Sequence, residues 1–505
     1  MSAGSGVWHL RDLLRDALGV LRDDVDDVRV RGVAQSHDRV VPGSLFVARV
    51  GRRSDAHDLV PAAIERGAVC VVGTRSGSTH VAGGVPYVHV ADDRWATSAL
   101  AATFHDHPSR ALTTIGVTGT DGKSTTATLL HHILQGERDD AVAGLLATVG
   151  VRIGRSHETL PGHFTTPEAT EVHAVLARMR AAGVTLAVVE SSSHGFALGR
   201  LEHVAYAIGV WTTFTPEHLD DHGTLEAYLE AKRTLVRRAP ISILNRDDPA
   251  FAAFAAVARS LRSYGVHPDA DVRAERIDVR ATGITFDLVV RDHDPITVAL
   301  PMVGTFNVHN ALAALAAADL VGVPWHDGVR SLATFPGVPG RMQLVSKEPF
   351  GVIVDFAHTA PALAKALAAI ATAAGGRKIV VIGAAGERDP GKREPIARAA
   401  VAGADLAVFT EEDHRSEDLG AILATMAASA VAAGARPGVD FLVIPDRREA
   451  IAAAIASARP GDVVLLCGKG HERTLERTDE VLTWDEASEV TAAVRRARAA
   501  TPEGA

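Results

Sequence analysis

Residues 112–134 read LTTIGVTGTDGKSTTATLLHHIL. An apolar run at 112–115 enters a glycine-rich turn and a helical pattern leaves it, the strand–loop–helix order that a phosphate cradle requires. Gly116, Gly119 and Gly122 let backbone N–H groups close around phosphate oxygens. A helix N-terminus supplies only about +0.5 charge, too little for a triphosphate. The segment Gly119, Thr120, Asp121, Gly122, Lys123, Ser124, Thr125 therefore needs Lys123 as its mobile cation, and the Ser124 hydroxyl is placed to ligate magnesium. The spacing is a variant, because the common form has glycine where this chain has Val117.

Outward from the loop, apolar runs alternate with helical patterns: TLAVVE at 185–190, AYAIGVWTT at 205–213, APISILN at 239–245 and an alanine-rich helix over 310–320. This alternation favours a doubly wound parallel sheet. Before residue 108, short strand-like runs at 69–72 and 87–90 mix with a helical pattern at 59–66. The prolines and glycines of FPGVPGR, 335–341, interrupt the periodicity, and a fresh series follows: GVIVDF, a helix over 361–374, KIVVIG, DLAVFT and DVVLLCG. At roughly 150 residues per domain, a chain of 505 residues carries about three. The expected fold is α/β in three domains: a small α/β domain over 1–108, a central doubly wound domain built on the phosphate loop over 109–338, and a Rossmann-like α/β domain over 339–505.

The composition, 47% hydrophobic and 22% charged, is that of a globular chain. A formal net charge of -9 and the lack of any basic run argue against nucleic acid as a partner. Cys70 and Cys467 are the only cysteines, each in an apolar run, so no disulfide framework or cysteine metal site is available and a reducing, cytoplasmic compartment fits. Charges at Arg11, Asp12, Arg15 and Asp16 break the apolar core that a signal peptide would need. The longest uncharged stretch, 419–435, has a helical spacing of modest hydrophobicity and reads as a packed helix, with no membrane span expected.

Two further groups carry chemistry. Glu190 ends an apolar run, and a carboxylate at the carboxyl end of a parallel strand faces the crevice where ligands bind, which makes it a metal-ligand candidate. The run at 207–210 leads into a segment offering His218, Asp220, His222 and, on the next helical pattern, Lys232.

With these residues in place the chain resembles the Mur ligase family, and within it the branch of tripeptide synthetases. PGSLFVA at 42–48 looks like that family's uridine-nucleotide domain, GTDGKST like its ATP loop, and TTPEA at 165–169 with ESSSHGFALGR at 190–200 like its muramyl-peptide segment. HLDDHGTLEAYLEAK at 218–232, GTFNVHN at 304–310, GRM at 340–342, VDFAHT at 354–359, GERDPGKR at 386–393 and GKGHE at 468–472 continue the match in order.

The resemblance implies an ATP-dependent ligase in which a precursor carboxylate takes the γ-phosphoryl group and an amino acid's amine then displaces phosphate. By resemblance, Glu190 and His218 hold magnesium, with two metal sites expected, and Lys232 becomes a carbamate. A carbamate suits the place, since an ammonium beside a divalent cation is repelled and a carbamate offers oxygens. Asn307 corresponds to the adenine-side residue. Arg341 and Asp355 correspond to the pair that engages ATP from the third domain, which implies closure of that domain over the second. His358 fits a nucleotide contact and a structural hydrogen bond equally well. Thr165, Thr166, Ser192 and Arg200 carry over as muramyl-peptide contacts. Arg388, Glu412, Asp413, His414, Arg415, Gly468 and Glu472 correspond to positions that hold the incoming amino acid.

The chain departs from the family at three places. Leu198 stands where glutamine is usual, Ser36, His37 and Asp38 replace an Asp-Ser-Arg triplet, and residues 412–415 read EDHR in place of DNPR. Arg415 could pair two-point with a second carboxylate and favour meso-diaminopimelate, whereas Glu412 and Asp413 could accept a bare ammonium and favour L-lysine or ornithine. The balance leans slightly to diaminopimelate. Folylpolyglutamate and cyanophycin synthetases share the ATP loop but give no reason for TTPEA, ESSSHG and GKGHE together. A non-catalytic member that binds nucleotide or precursor would be expected to have lost loop or metal residues, all of which stand here.

Overall fold

The computed structural model describes residues 6–500 apart from 23–25, 52–53, 77–80, 82–83, 160–164, 218, 281–282, 371 and 373–374. The chain divides into two compact units, Met1–Val272 with Ala313–Gly328, and Arg273–Leu312 with Val329–Ala505.

Among the described residues the first unit holds two sheets of more than two strands and a short pairing of Trp8–His9 with Arg29–Val30. Four parallel strands, Gly32–Ala34, Ser44–Ala48, Cys70–Gly73 and Tyr87–His89, lie in that order, and the helices Leu10–Leu18 and Asp93–Phe104 contribute Leu13, Leu14, Ala99 and Leu100 to the core on one face. Within this unit the strands of the larger sheet are ordered Ser156–Glu158, Gly150–Ile153, Ala143–Ala147, Leu186–Glu190, Thr113–Thr118, Ile208–Trp211, Ile241–Asn245, Leu261–Gly265. The two strands at its first edge run antiparallel and the other six are parallel. Helices cover both faces, so the parallel strands read as continuous apolar runs. Thr113–Thr118 lies between the later strands Leu186–Glu190 and Ile208–Trp211. The strand order reverses there, which places the phosphate loop at the switch point where open α/β sheets bind ligands.

Close packing sets the depth of the helix that carries Lys232. A Cβ at Gly116 would lie 2.5 Å from Leu235 Cδ1, so glycine lets helix Leu225–Arg238 press against the central strand. That helix starts on the Thr224 side chain, which accepts from Ala227 N, and buries Tyr228, Ala231, Lys232, Leu235 and Val236. These positions form one stripe at helical spacing. A lysine therefore sits on the apolar face.

The second unit contains a six-stranded sheet ordered Gln343–Ser346, Gly351–Val354, Val463–Leu466, Lys378–Ile382, Leu406–Phe409, Phe441–Val443, parallel except for its first strand. Alternate residues face opposite sides: Val380 and Ile382 join one core, Ile379 and Val381 the other. A hairpin of Gly283–Val290 and Ile296–Leu300 belongs to the same unit. The expected helix at 310–320 begins earlier, at Phe306, because Asn307 Nδ2 donates to Val303 O (2.7 Å) and Asn310 Nδ2 donates to Asn307 Oδ1 (2.8 Å), burying amides that read as loop. The helix expected over 361–374 spans Ala360–Ala369 and turns extended at Ile370, and part of its expected end lies outside the described residues. Leu419–Ala432 is a packed helix that buries Ile422, Leu423 and Met426. No described helix is long and apolar enough to cross a membrane. Both cysteines are buried and free.

Candidate active site

The loop is braced from the strand beside it. Gly119 has φ +151, and a Cβ there would lie 1.9 Å from Thr212 Oγ1, so no side chain fits. Thr120 N donates to Thr213 O (2.8 Å), Asp121 N donates to Thr213 Oγ1 (2.9 Å), and the Thr120 and Tyr228 hydroxyls meet at 3.0 Å. Gly122, at φ +84, opens the helix Lys123–Gln135, whose first turn carries Ser124 and Thr125. Lys123 folds back over the loop, donating from Nζ to Gly119 O (3.0 Å) and Thr120 O (2.7 Å).

Two sequence-predicted residues converge on this loop. Glu190, 1% exposed, accepts from Ser124 Oγ at Oε1 (2.8 Å) and from Thr148 N at Oε2 (2.8 Å). Lys232, also 1% exposed, donates from Nζ to Gly119 O and stands 4.4 Å from the centre of the Tyr228 ring. Burial, followed by repulsion from Lys123, pushes the Lys232 amine well below the ordinary lysine range. His218 lies outside the described residues. Among the described residues no cluster of three or more His, Cys, Asp or Glu side chains forms a ready-made metal site. The Ser124 hydroxyl and the Glu190 carboxylate side by side still fit a hard cation such as magnesium, which takes one or two protein oxygens together with substrate phosphates.

A cleft of about 640 Å³ adjoins the loop, lined by Lys123 and Lys232 at one part and by Ser36, His37, Thr165, Thr166, Ser192, Leu198 and Arg200 at others. Thr166 Oγ1 meets Ser192 Oγ at 2.9 Å and donates to Glu190 O (3.1 Å), which ties the peptide-segment hydroxyls to the end of the Glu190 strand. Arg200 Nη1 donates to Thr166 O (2.9 Å) and Nη2 to Glu168 Oε1 (2.5 Å). Glu168 also accepts from Arg49 Nη1 (2.7 Å) and Gln35 Nε2 (2.8 Å). Sequence reasoning missed Gln35, Arg49 and Glu168. Glu168 stands inside the quoted TTPEA segment, but nothing in the chain's linear order pairs it with residues more than a hundred positions away. Asp38 accepts from the Ser36 hydroxyl.

In the second unit, candidate residues stand just beyond the carboxyl ends of parallel strands. Asp355 accepts from Met342 N and Ala357 N (2.8 Å each), and burial pushes its carboxyl up. The Arg341 guanidinium stands 4.9 Å from the Phe356 ring centre. His358 Nδ1 bonds Phe356 O (2.9 Å), and burial lowers its pKa. Gly340 packs on Gly470 so closely that a Cβ would lie 2.2 Å from Gly470 C. Arg388 is exposed.

The remaining candidates surround a buried lysine. Lys469 has no exposed side-chain surface, and its Nζ reaches Asp413 Oδ1 (2.7 Å) and Glu472 Oε2 (2.6 Å). Arg415 donates to Glu476 Oε2 (2.8 Å) and Gly386 O (2.7 Å), and His414 Nδ1 bonds Glu417 O (3.1 Å). Glu412 reaches over Gly468, where a Cβ would lie 2.6 Å from Glu412 Oε2. Burial pushes the Glu412 carboxyl up to about 7, against the pull of Arg447 and Lys469. The central role of Lys469 was not legible beforehand.

Known proteins resemble this chain over most of its length. The Mur ligase middle domain matches residues 117–318, and the Mur ligase, glutamate ligase domain matches residues 340–470. A UDP-N-acetylmuramyl-tripeptide synthetase of Deinococcus radiodurans is 44% identical over 480 residues, 93% of this chain and 96% of that protein. A UDP-N-acetylmuramoyl-L-alanyl-D-glutamate–2,6-diaminopimelate ligase of Streptomyces coelicolor is 38% identical, covering 96% of each chain. A solved structure of a ligase of the latter name superposes with a TM-score of 0.68 at 28% identity, covering 97% of this chain and 100% of that one. Two family domains matched in order, relatives aligned over nearly the full length and a phosphate loop joined by Glu190 and Lys232 lead to one conclusion: the chain is an enzyme of the Mur ligase family.

Proposed function

We propose that this chain adds the third amino acid, a diamino acid, to UDP-N-acetylmuramoyl-L-Ala-D-Glu in peptidoglycan precursor synthesis, working in the cytoplasm. The observation that carries the reading is the convergence on Gly119–Ser124 of a buried carboxylate, Glu190, and a buried amine, Lys232, beside a cleft lined by hydroxyls and Arg200.

The loop N–H groups and Lys123 hold and align the ATP triphosphate, which is most of what phosphoryl transfer asks of a protein. The precursor carboxylate, oriented by Thr165, Thr166, Ser192 and Arg200, attacks the γ-phosphoryl group, and ADP leaves. The amine of the incoming amino acid then adds to the acyl phosphate and expels phosphate, forming the amide. Ser124, Glu190 and His218 would hold magnesium, which would supply neutralisation of phosphate charge. Lys232 is suited to carbamate formation because only a neutral amine adds carbon dioxide, and burial shifts this amine towards its neutral form. The new N–C bond releases one proton and leaves the side chain with a negative charge.

The nucleotide roles of Asn307, Arg341 and Asp355, the amino-acid roles of Arg388, Glu412, Asp413, His414, Arg415, Gly468 and Glu472, and the domain bounds 1–108, 109–338 and 339–505 belong to the same proposal. The amino acid is meso-diaminopimelate, in preference to L-lysine or ornithine. Arg415 favours it, as do relatives named for diaminopimelate at 38% identity. Phosphate release from ATP that requires both the UDP-muramyl-dipeptide and an amino acid, with mass spectrometry of the product, tests the acceptor. A competition among the three amino acids tests the choice. ATP turnover indifferent to the muramyl peptide would favour a folylpolyglutamate or cyanophycin type of ligase instead.

A further inference from the structure

We propose that Arg49, held in place by Glu168, forms a subsite for an anionic group of the precursor on the wall of the cleft beside the phosphate loop. The inference rests on the proposed function, because it takes the cleft to receive the muramyl precursor. Arg49 directly follows the buried strand Ser44–Ala48, which fixes where its side chain starts. Only its Nη1 is taken up by Glu168, at 2.7 Å. Arg49 Nε is buried and meets no hydrogen-bond partner among the described residues. A guanidinium offers five N–H donors in a fixed fork, so an arginine with a buried, unmet Nε is a preformed half of a two-point contact to phosphate or carboxylate.

The charges point the same way. Glu168 meets two guanidinium groups, Arg49 and Arg200, so this trio carries one net positive charge. Burial alone would raise the Glu168 carboxyl, yet Arg200 and Arg49 hold it below the ordinary range, so it stays ionised and keeps both cations in place. Glu168 thus acts as a positioning residue, gripping each arginine by one end. The triplet at 36–38 ends in an acid, Asp38, which binds the Ser36 hydroxyl, and Arg49 is one of the cations lining the cleft, with Arg94, Arg200 and Lys123.

The anion recognised is a diphosphate or a peptide carboxylate, the two negative groups that such a precursor carries. Calorimetric titration of the full-length protein separates them, using UDP-N-acetylmuramoyl-L-Ala-D-Glu, UDP-N-acetylglucosamine (diphosphate without peptide) and N-acetylmuramoyl-L-Ala-D-Glu (peptide without diphosphate). Losing a charged hydrogen bond is expected to weaken binding of the full precursor to Arg49→Gln roughly 10- to 100-fold while leaving the KM for ATP unchanged. Arg49→Lys, which leaves Glu168 paired and the fold safe, is expected to weaken it less but measurably, because the Nε contact is gone. Whichever truncated probe loses affinity in Arg49→Gln identifies the anion. Unchanged affinity of both variants for the precursor would overturn the subsite and leave the functional reading standing, whereas failure of the wild-type protein to bind the precursor would overturn that reading.

Discussion

Replacing Lys469 with methionine is expected to destabilise the C-terminal unit more at alkaline than at acidic pH. Methionine keeps most of the side-chain volume and deletes the ammonium that holds Asp413 Oδ1 at 2.7 Å and Glu472 Oε2 at 2.6 Å. Breaking a buried ion pair by removing one partner costs about 3–5 kcal/mol. Asp413 keeps a hydrogen bond from Glu476 N (2.9 Å), and the Glu472 side chain is 22% exposed and regains some water. The expected loss at pH 8 is therefore near the lower end, about 3 kcal/mol. The sign of the pH dependence follows from Glu412, whose carboxyl is already raised to about 7 by burial while Lys469 pulls it down. Without Lys469, Glu412 releases its proton at a still higher pH in the folded chain than in the unfolded one, where carboxyls titrate near about 4. The folded state then binds more protons than the unfolded state across that window, so the penalty is full above the folded pKa and shrinks as pH falls towards the unfolded one. Urea denaturation of the full chain at pH 8 and pH 5 would measure it, with the KM for the amino acid as a second readout, expected to rise while that for ATP does not. A deficit below about 1 kcal/mol at pH 8, or one equal at both pH values, would refute the reasoning.

Gly119→Ala is expected to abolish nucleotide binding in a titration with ATP, because its Cβ would lie 1.9 Å from Thr212 Oγ1 and the loop would have to move. Lys232→Ala should abolish ligation with partial recovery in excess bicarbonate, measured as coupled phosphate release; activity near that of the wild type would remove the residue from the mechanism. Buried His173, which meets Ser98 Oγ at 3.3 Å, has its pKa pushed by burial down to about 3, below the unfolded value of 6.5. Its folded form resists a proton that the unfolded chain accepts, so stability is full above pH 6.5 and falls as pH drops. At pH 5 the contribution is about 2 kcal/mol, and His173→Gln should flatten the acid limb of a thermal-melt series by that amount.

The phosphate loop was legible because its grammar is local: glycines, a lysine and a hydroxyl within a few residues, between a strand and a helix. Strand ends were legible for a related reason, since apolar runs mark the sheets and the residue after each run must stand at the crevice, as Glu190, Asp355 and the 412–415 segment do. Lys232 carried a signal beyond its motif, because it shares the stripe of Tyr228, Ala231, Leu235 and Val236, and a lysine on the apolar face of a helix has to find a partner or lose its charge. What did not show was which charge meets which. The Asp413 that the sequence offers to a substrate ammonium already holds Lys469, 56 positions away, and Glu168 gathers Arg49 from 119 positions away. Pairings of this kind depend on the sheet order, which brings distant strand ends together. Among the four residues that replace the usual selector, Asp413 and Arg415 each have a protein partner of opposite charge, whereas the Glu412 carboxyl is raised to about 7 by burial. A distal ammonium from the substrate would bring that carboxyl the missing positive charge and lower its pKa. Amino-acid binding through Glu412 should therefore release a proton near pH 7, and calorimetric titrations in two buffers of different ionisation enthalpy would count it; a count of zero would place the side chain's recognition elsewhere.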